Sequence, residues 1–150
     1  MKVSDAMTSD VRVVRPEQSI SEAAQIMAEC DSGALPVTDG ERLIGVVTDR
    51  DIAIRAVARA MSPHTAVGDI MSREVLYCYE DEELEHVAQN MGDLQVRRLP
   101  VMNRDKRLVG IVSISDVSLT TSPDVTGLAV ADVSRPGGRH SQLISEARRQ

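Results

Sequence analysis

The sequence predicts an α+β protein built from two pseudo-symmetric β-α-β-β-α repeats. Three observations carry that expectation. The chain repeats itself at an almost constant spacing. Each copy holds a helix with one apolar stripe. Each copy then continues into two β-branched runs joined by a turn.

The repeat is visible by direct comparison. Val3-Ser4-Asp5-Ala6-Met7-Thr8 aligns with Val67-Gly68-Asp69-Ile70-Met71-Ser72, and Leu35-Pro36-Val37 with Leu99-Pro100-Val101, at the same spacing. One extra residue near Asp105 lengthens the spacing. Gly45-Val46-Val47-Thr48 then matches Gly110-Ile111-Val112-Ser113, and Asp51 matches Asp116. The matches run in order and include Gly, Pro and Asp, residues with specific backbone or chemical uses.

Element by element, the first copy opens on a short strand, Val11–Val14, and the second on Val75–Cys78. A helix follows, with Ile20, Ala23, Ala24 and Met27 forming a stripe at i, i+3, i+4, i+7. Leu84, Val87, Ala88 and Met91 repeat it. Ser19-x-x-Glu22 fits a capping box, and Asp81, Glu82 and Glu83 put negative charge where the second helix dipole favours it. Two strands come next, 34–37 and 43–47, with Asp39-Gly40 as the hairpin turn. The second copy turns at Asn103-Arg104-Asp105. A second helix runs from near Asp49 to about Met61; its counterpart starts near Ser115 and is cut off by Pro123.

This places repeat 1 at residues 1–61, a linker at 62–66 and repeat 2 at 67–121. Residues 122–150 read as a polar, partly flexible tail, loosely ordered up to about residue 142, with a short helix over Gln142–Arg149. A unit of this size buries little apolar surface alone, which is a physical reason for a tandem pair with a shared core.

Composition excludes several classes. Hydrophobic residues make up 42% and charged residues 27%, as in a soluble globular protein. Tyr77 and Tyr79 are the only aromatics, so the core is aliphatic and stacking platforms for single-stranded nucleic acid are missing. The two tyrosines alternate along a strand and share a face that suits a cleft or a subunit interface. A net charge of -6 argues against a duplex-binding face, and no nucleic-acid partner is expected. No apolar run approaches the ~18 residues of a membrane span, and the N-terminus lacks a signal-peptide core. No membrane association is expected, and a cytoplasmic location follows. Cys30 and Cys78 lack metal-ligand spacing and read as reduced, buried thiols; His64, His86 and His140 are scattered, so no metal site is expected. No catalytic arrangement stands out. Arg55 and Arg59 lie one turn apart and read as a solvated helix face.

The chemistry concentrates where a strand ends and a helix begins. Gly45-Val46-Val47-Thr48-Asp49-Arg50-Asp51 is echoed by Gly110-Ile111-Val112-Ser113-Ile114-Ser115-Asp116. A hydroxyl three residues before a carboxylate is a capping box. It also suits a nucleotide: helix N–H groups and the hydroxyl attract phosphate, and the carboxylate accepts ribose hydroxyls. Residue chemistry alone leaves both readings open.

From Val3 to about Val117 the chain resembles a tandem cystathionine-β-synthase-type (CBS) domain pair, or Bateman module. The residues that carry the resemblance are 33–37 with 43–51, and 96–101 with 108–116. It is similar to free-standing bacterial CBS-pair proteins. The resemblance implies a pseudo-two-fold body with two inter-repeat clefts, usually a homodimer, non-catalytic by itself and needing no cofactor. Its regulatory ligand would be an adenosine nucleotide: AMP, ADP, ATP, NAD or S-adenosylmethionine. One cleft would hold Thr48 and Asp51 with Arg97 and Arg98 from the second copy. The other would hold Ser113, Ser115 and Asp116 with Gly33 and Ala34 from the first. Loops at Asp10-Val11 and Glu74-Val75 would wall the adenine. Arg97 and Arg98 stand where the first copy has Gly33 and Ala34, and an arginine pair suits phosphate. The Asp51 cleft therefore fits a phosphorylated ligand, and the Asp116 cleft a neutral, hydrogen-bonded one. Two functions follow: a nucleotide-sensing module whose dimer arrangement signals to an unknown downstream protein, or a structural CBS dimer that binds partners and no nucleotide.

Overall fold

The structure, a computed structural model, describes residues 1–136 of the 150-residue chain. In chain order the elements are α1 (Val3–Ala6), α2 (Ile20–Cys30), β1 (Ala34–Asp39), β2 (Arg42–Thr48) and α3 (Asp49–Asp51). Then come β3 (Cys78–Tyr79), α4 (Leu84–Leu94), β4 (Arg98–Met102), β5 (Leu108–Ser113), α5 (Ile114–Thr120) and α6 (Pro123–Ser134). The expected helix over Gln142–Arg149 lies outside the described residues.

The chain divides into two compact units: Arg12–Val75, and Met1–Val11 together with the segment from Leu76 onward. These boundaries differ from the sequence repeats at their leading segments. In the first unit, Val67–Ser72, which opens repeat 2 in sequence, packs against the hairpin of repeat 1. Ser72 and Val46 exchange two backbone hydrogen bonds, N to O at 2.9 and 3.0 Å. Val67 donates to the Gln18 carbonyl at 2.8 Å, and Val67, Ile70 and Met71 are buried in the same core as Leu35, Val37 and Val47. In the second unit Met1–Thr8 does the same to repeat 2. Thr8 and Ile111 exchange bonds of 2.9 Å each, Val3 donates to the Glu82 carbonyl at 3.0 Å, and Val3 is buried with Leu84, Val101 and Val112.

The hairpins form as the sequence predicts. β1 and β2 pair antiparallel from Ala34↔Thr48 to Asp39↔Arg42, and Gly40 takes a left-handed φ of +63° in the turn. β4 and β5 pair antiparallel from Arg98↔Ser113 to Met102↔Leu108, with Lys106 at φ +61°. The helices bury their stripes, except that Ala24 is exposed. Ser19 caps α2, its Oγ accepting from the Glu22 N–H at 3.1 Å.

Four expectations need correction. First, the opening strands shrink. Residues 11–14 meet β1 only at Val14, opposite Val37, and the second opening strand is only Cys78–Tyr79. In this parallel pairing the next bond upstream would run from Pro36 to the Arg12 carbonyl, or from Pro100 to that of Leu76. Proline has no N–H, so both strands stop there. Second, the helix after β2 is not uniform. α3 passes into a π-helical turn, Ile52–Ala56, and a 3-10 turn, Val57–Arg59, closed by Ala60 at φ +57°. Third, Pro123 ends one helix by starting another. Ser122 caps α6, accepting from the Val125 N–H at 3.4 Å, and Pro123 occupies the first turn, where a missing N–H costs nothing. Gln95 Nε2 donates to the carbonyls of Asp132 at 3.0 Å and Arg135 at 2.8 Å, and Ala129 is buried. Residues 123–134 are therefore ordered on α4. Fourth, Cys30 is exposed at the end of α2, while Cys78 is buried. Burial, with the Glu82 carboxylate adding to it, pushes the Cys78 thiol up to about 12, so it stays neutral at physiological pH.

Glycine makes the leading-segment contacts possible. A Cβ at Gly45 would lie 2.5 Å from the Ser72 carbonyl oxygen, and one at Gly110 2.8 Å from that of Thr8. At Gly127, on the exposed face of α6, a Cβ would meet nothing within 4 Å. Gly45→Ala and Gly110→Ala should each destabilise the fold by at least ~2 kcal/mol in urea unfolding, as overpacking against backbone does. Gly127→Ala should stabilise by about 0.5 kcal/mol or more, as removal of a helix glycine does.

Candidate functional site

Each hairpin ends by turning directly into a helix, and the turn is held by a reciprocal cap. Thr48 Oγ1 accepts from the Asp51 N–H at 3.0 Å, and Asp51 Oδ2 accepts from the Thr48 N–H at 3.0 Å. In the second repeat Ser113 Oγ accepts from the Asp116 N–H at 3.2 Å. Asp116 Oδ2 accepts from the Ser113 N–H at 2.9 Å and the Ser113 hydroxyl at 3.1 Å. Of the two readings the sequence leaves open for these turns, the capping box is thus formed in both repeats.

The start of the first strand sits beside each cap. Gly33 lends its carbonyl to the Asp49 N–H at 2.9 Å, and Ala34 pairs with Thr48. A Cβ at Gly33 would lie 2.8 Å from Asp49 Oδ2, so the glycine makes room for that carboxylate. In the second repeat Arg97 lends its carbonyl to the Ile114 N–H at 2.9 Å, and Arg98 pairs with Ser113. Arg97 and Arg98 are exposed and make no ion pair among the described residues. Ser115 is exposed, its carbonyl accepting from the Ser118 hydroxyl at 2.7 Å.

The predicted site residues divide between the units. Gly33, Ala34, Thr48, Asp51 and half-buried Glu74 and Val75 fall in Arg12–Val75. Exposed Asp10 and half-buried Val11 fall with Arg97, Arg98, Ser113, Ser115 and Asp116 in the other unit.

The two carboxylates differ in their surroundings. Asp51 is buried, at 3% exposure, and its Oδ1 faces Arg55 Nε at 3.9 Å. Arg55 Nη1 donates to the carbonyls of Ile70 at 2.9 Å and Met71 at 3.1 Å. Arg55 is thus no part of a solvated face, which corrects the sequence expectation. The available signal was its place four residues after Asp51, the spacing of an ion pair on one helix face. Asp116 is half-buried, and its side chain meets only Ser113 among the described residues. Residue 120, matched to Arg55, is a threonine whose hydroxyl donates to the Asp116 carbonyl at 2.6 Å.

Tyr77 and Tyr79 pack edge to face, with centroids 5.6 Å apart. Arg104 lies 4.0 Å over the Tyr79 ring and grips the Asp81 carboxylate with Nη2 at 2.8 Å and Nε at 2.9 Å. The hydrogen bond from Arg104 lowers the Asp81 pKa. No cluster of metal-ligating side chains occurs among the described residues, nor a helix long and apolar enough to cross a membrane.

A repeated hairpin, a capped helix behind it and a leading segment locked onto each hairpin define a tandem-repeat α+β architecture, and comparison with known proteins gives its family. The CBS domain family matches residues 3–57 and 67–119, and the chain belongs to it. It is 38% identical over 133 residues to the CBS domain-containing protein YhcV of Bacillus subtilis, covering 88% of this chain and 94% of that one. It is 38% identical over 116 residues to Hypoxic response protein 1 of Mycobacterium tuberculosis, covering 76% and 80%. Among solved structures, the CBS domain pair of protein MJ0100 in complex with 5'-methylthioadenosine and S-adenosyl-L-methionine matches with TM-score 0.72 at 32% identity, over 79% of this chain and 94% of that one. Hypoxic Response Protein I with two coordinated zinc ions matches with TM-score 0.72 at 35% identity, over 81% and 100%.

The caps set an energetic order. Thr48→Val and Ser113→Ala should each cost about 1 kcal/mol in urea unfolding, the usual loss for an N-cap side chain. Asp51→Ala should cost more than Asp116→Ala, about 3 kcal/mol, because it removes a buried carboxylate that faces the largely buried Arg55 guanidinium.

Proposed function

We propose that this CBS pair is a non-catalytic module that binds an adenosine nucleotide and reports its presence to a downstream protein through the arrangement of a homodimer. The observation that carries the reading is the duplicated hydroxyl-x-x-carboxylate turn, retained as Thr48/Asp51 and Ser113/Asp116 at the same point of both hairpins. The MJ0100 pair, similar over 79% of this chain, holds two adenosine compounds, which supports adenosine as the recognised moiety.

The assigned roles follow from chemistry. Asp51 and Asp116 accept ribose hydroxyls, a carboxylate being acceptor-only when ionised. Thr48, Ser113 and Ser115 supply hydroxyls to phosphate or to the ligand's polar edge. Arg97 and Arg98, exposed and without an acidic partner among the described residues, neutralise phosphate. Gly33 and Ala34 join Ser113, Ser115 and Asp116 and present little side-chain bulk to the ligand, and Asp10-Val11 and Glu74-Val75 flank the base. A ligand so held shifts the dimer only by its differential affinity for two arrangements. The capping bonds already made by both carboxylates favour a second reading, a structural CBS dimer with no nucleotide.

Calorimetry and thermal unfolding with AMP, ADP, ATP, NAD and S-adenosylmethionine separate the two. Saturable binding should stabilise the fold by ~2.7 kcal/mol at one hundred times Kd. Asp116→Ala should weaken binding at least tenfold, and Arg98→Ala should weaken AMP more than adenosine. Absence of saturable binding by all five at millimolar concentration contradicts the sensing reading and leaves the structural one.

A further inference from the structure

We infer that Arg55 is a coupling residue: it transmits occupation of Asp51 to the segment Val67–Ser72, and no such device occurs in the second repeat among the described residues. The inference rests on the reading of Asp51 as a ribose acceptor. Asp51 and Arg55 are both largely withdrawn from water, with side-chain exposures of 4% and 24%. A buried guanidinium needs a counter-charge and acceptors for its fixed fork of donors. Arg55 finds the charge in Asp51 at 3.9 Å and acceptors in the Ile70 and Met71 carbonyls at 2.9 and 3.1 Å. The carboxylate that faces the hairpin turn and the carbonyls that anchor the leading segment therefore share one cation.

That sharing links the two ends. A ribose hydroxyl donating to Asp51 takes up part of the carboxylate's charge. The Arg55 guanidinium then leans more on the Ile70 and Met71 carbonyls, in a setting where water screens the change only in part. Those carbonyls immediately precede Ser72, whose N–H donates to the Val46 carbonyl at 2.9 Å and whose carbonyl accepts from the Val46 N–H at 3.0 Å. Tightening at Arg55 thus holds the leading segment more firmly on β2. In the second repeat Thr120 replaces the arginine and its hydroxyl goes to the Asp116 backbone carbonyl. Asp116 meets only Ser113 among the described residues, so its occupation has no cation through which to act on Thr8.

Amide hydrogen exchange on the full chain tests this, with AMP and S-adenosylmethionine as probes and calorimetry on the same samples. With a bound probe, exchange at Ser72 and Val46 should slow at least threefold, while Ile111 should change less than twofold. In Arg55→Lys, which keeps the charge but loses the fork, Kd should stay within threefold of wild type and the Ser72 response should disappear. No saturable binding by these two or by ADP, ATP and NAD would sink the nucleotide reading itself, and the coupling with it. Binding without slowing at Ser72, or equal slowing at Ser72 and Ile111, would overturn the coupling and leave nucleotide binding intact. The contrast between Ser72 and Ile111 is measured in wild type, so it decides the matter even if Arg55→Lys does not fold.

Discussion

A side chain at residue 45 or 110 would collide with a neighbouring backbone carbonyl, and that steric fact organises the protein. Gly45 and Gly110 sit in the second strand of each hairpin, and the bare backbone there lets another stretch of chain come within pairing distance. Each leading segment uses the opening to exchange two backbone hydrogen bonds, worth roughly 0.5–1.5 kcal/mol apiece, and to bury an apolar anchor. Val3 and Val67 are fully buried by that docking. The hairpin is then met on one edge by the leading segment and on its other strand by Val14 or by β3, at one or two residues in each case.

The candidate site depends on this arrangement. The chain leaves the hairpin just beyond Gly45 and Gly110, and the capping boxes fix how the following helix departs. In the Arg12–Val75 unit the dependence runs through a side chain as well, because Arg55 binds both the cap carboxylate and the docked segment. In the other unit the cap is self-contained. The two sites share a motif and differ in mechanics: one carboxylate is buried and charge-compensated, the other half-buried and bonded, among the described residues, to a serine alone.

Much of this was legible in the sequence. The duplication, the hairpins with their turns and the hydroxyl-x-x-carboxylate pairs follow from local patterns of period and residue type, and local patterns survive folding here. What failed to show was set by partners distant in sequence. The opening strands shorten because Pro36 and Pro100, some twenty residues away, cannot donate to them. The apolar residues of α6 are spread around the helix rather than gathered in one stripe, which hid it although Ser122-Pro123 is a helix-starting pair; its packing comes from Gln95 and from the space at Gly92 on α4. Arg55 reads as surface on a helical wheel, and only the return of Val67–Met71 to the first hairpin buries it. That return is invisible to an alignment of the repeats, which groups Val67–Ser72 with the second copy.

The central claim is that each leading segment serves the hairpin of the other repeat. Proline substitution tests it in the full chain, since it removes one N–H without adding charge. Thr8→Pro deletes the Thr8 bond to the Ile111 carbonyl, and the extended Met7 before it tolerates a following proline. Ser72→Pro deletes the bond to the Val46 carbonyl. Residue-resolved hydrogen exchange should show Thr8→Pro speeding exchange at Val101 and Val112 at least tenfold, with Val37 and Val47 changed less than threefold. Ser72→Pro should give the reverse pattern. If Thr8→Pro instead loosens Val37 and Val47 and spares Val101 and Val112, each leading segment serves its own repeat and the account is wrong.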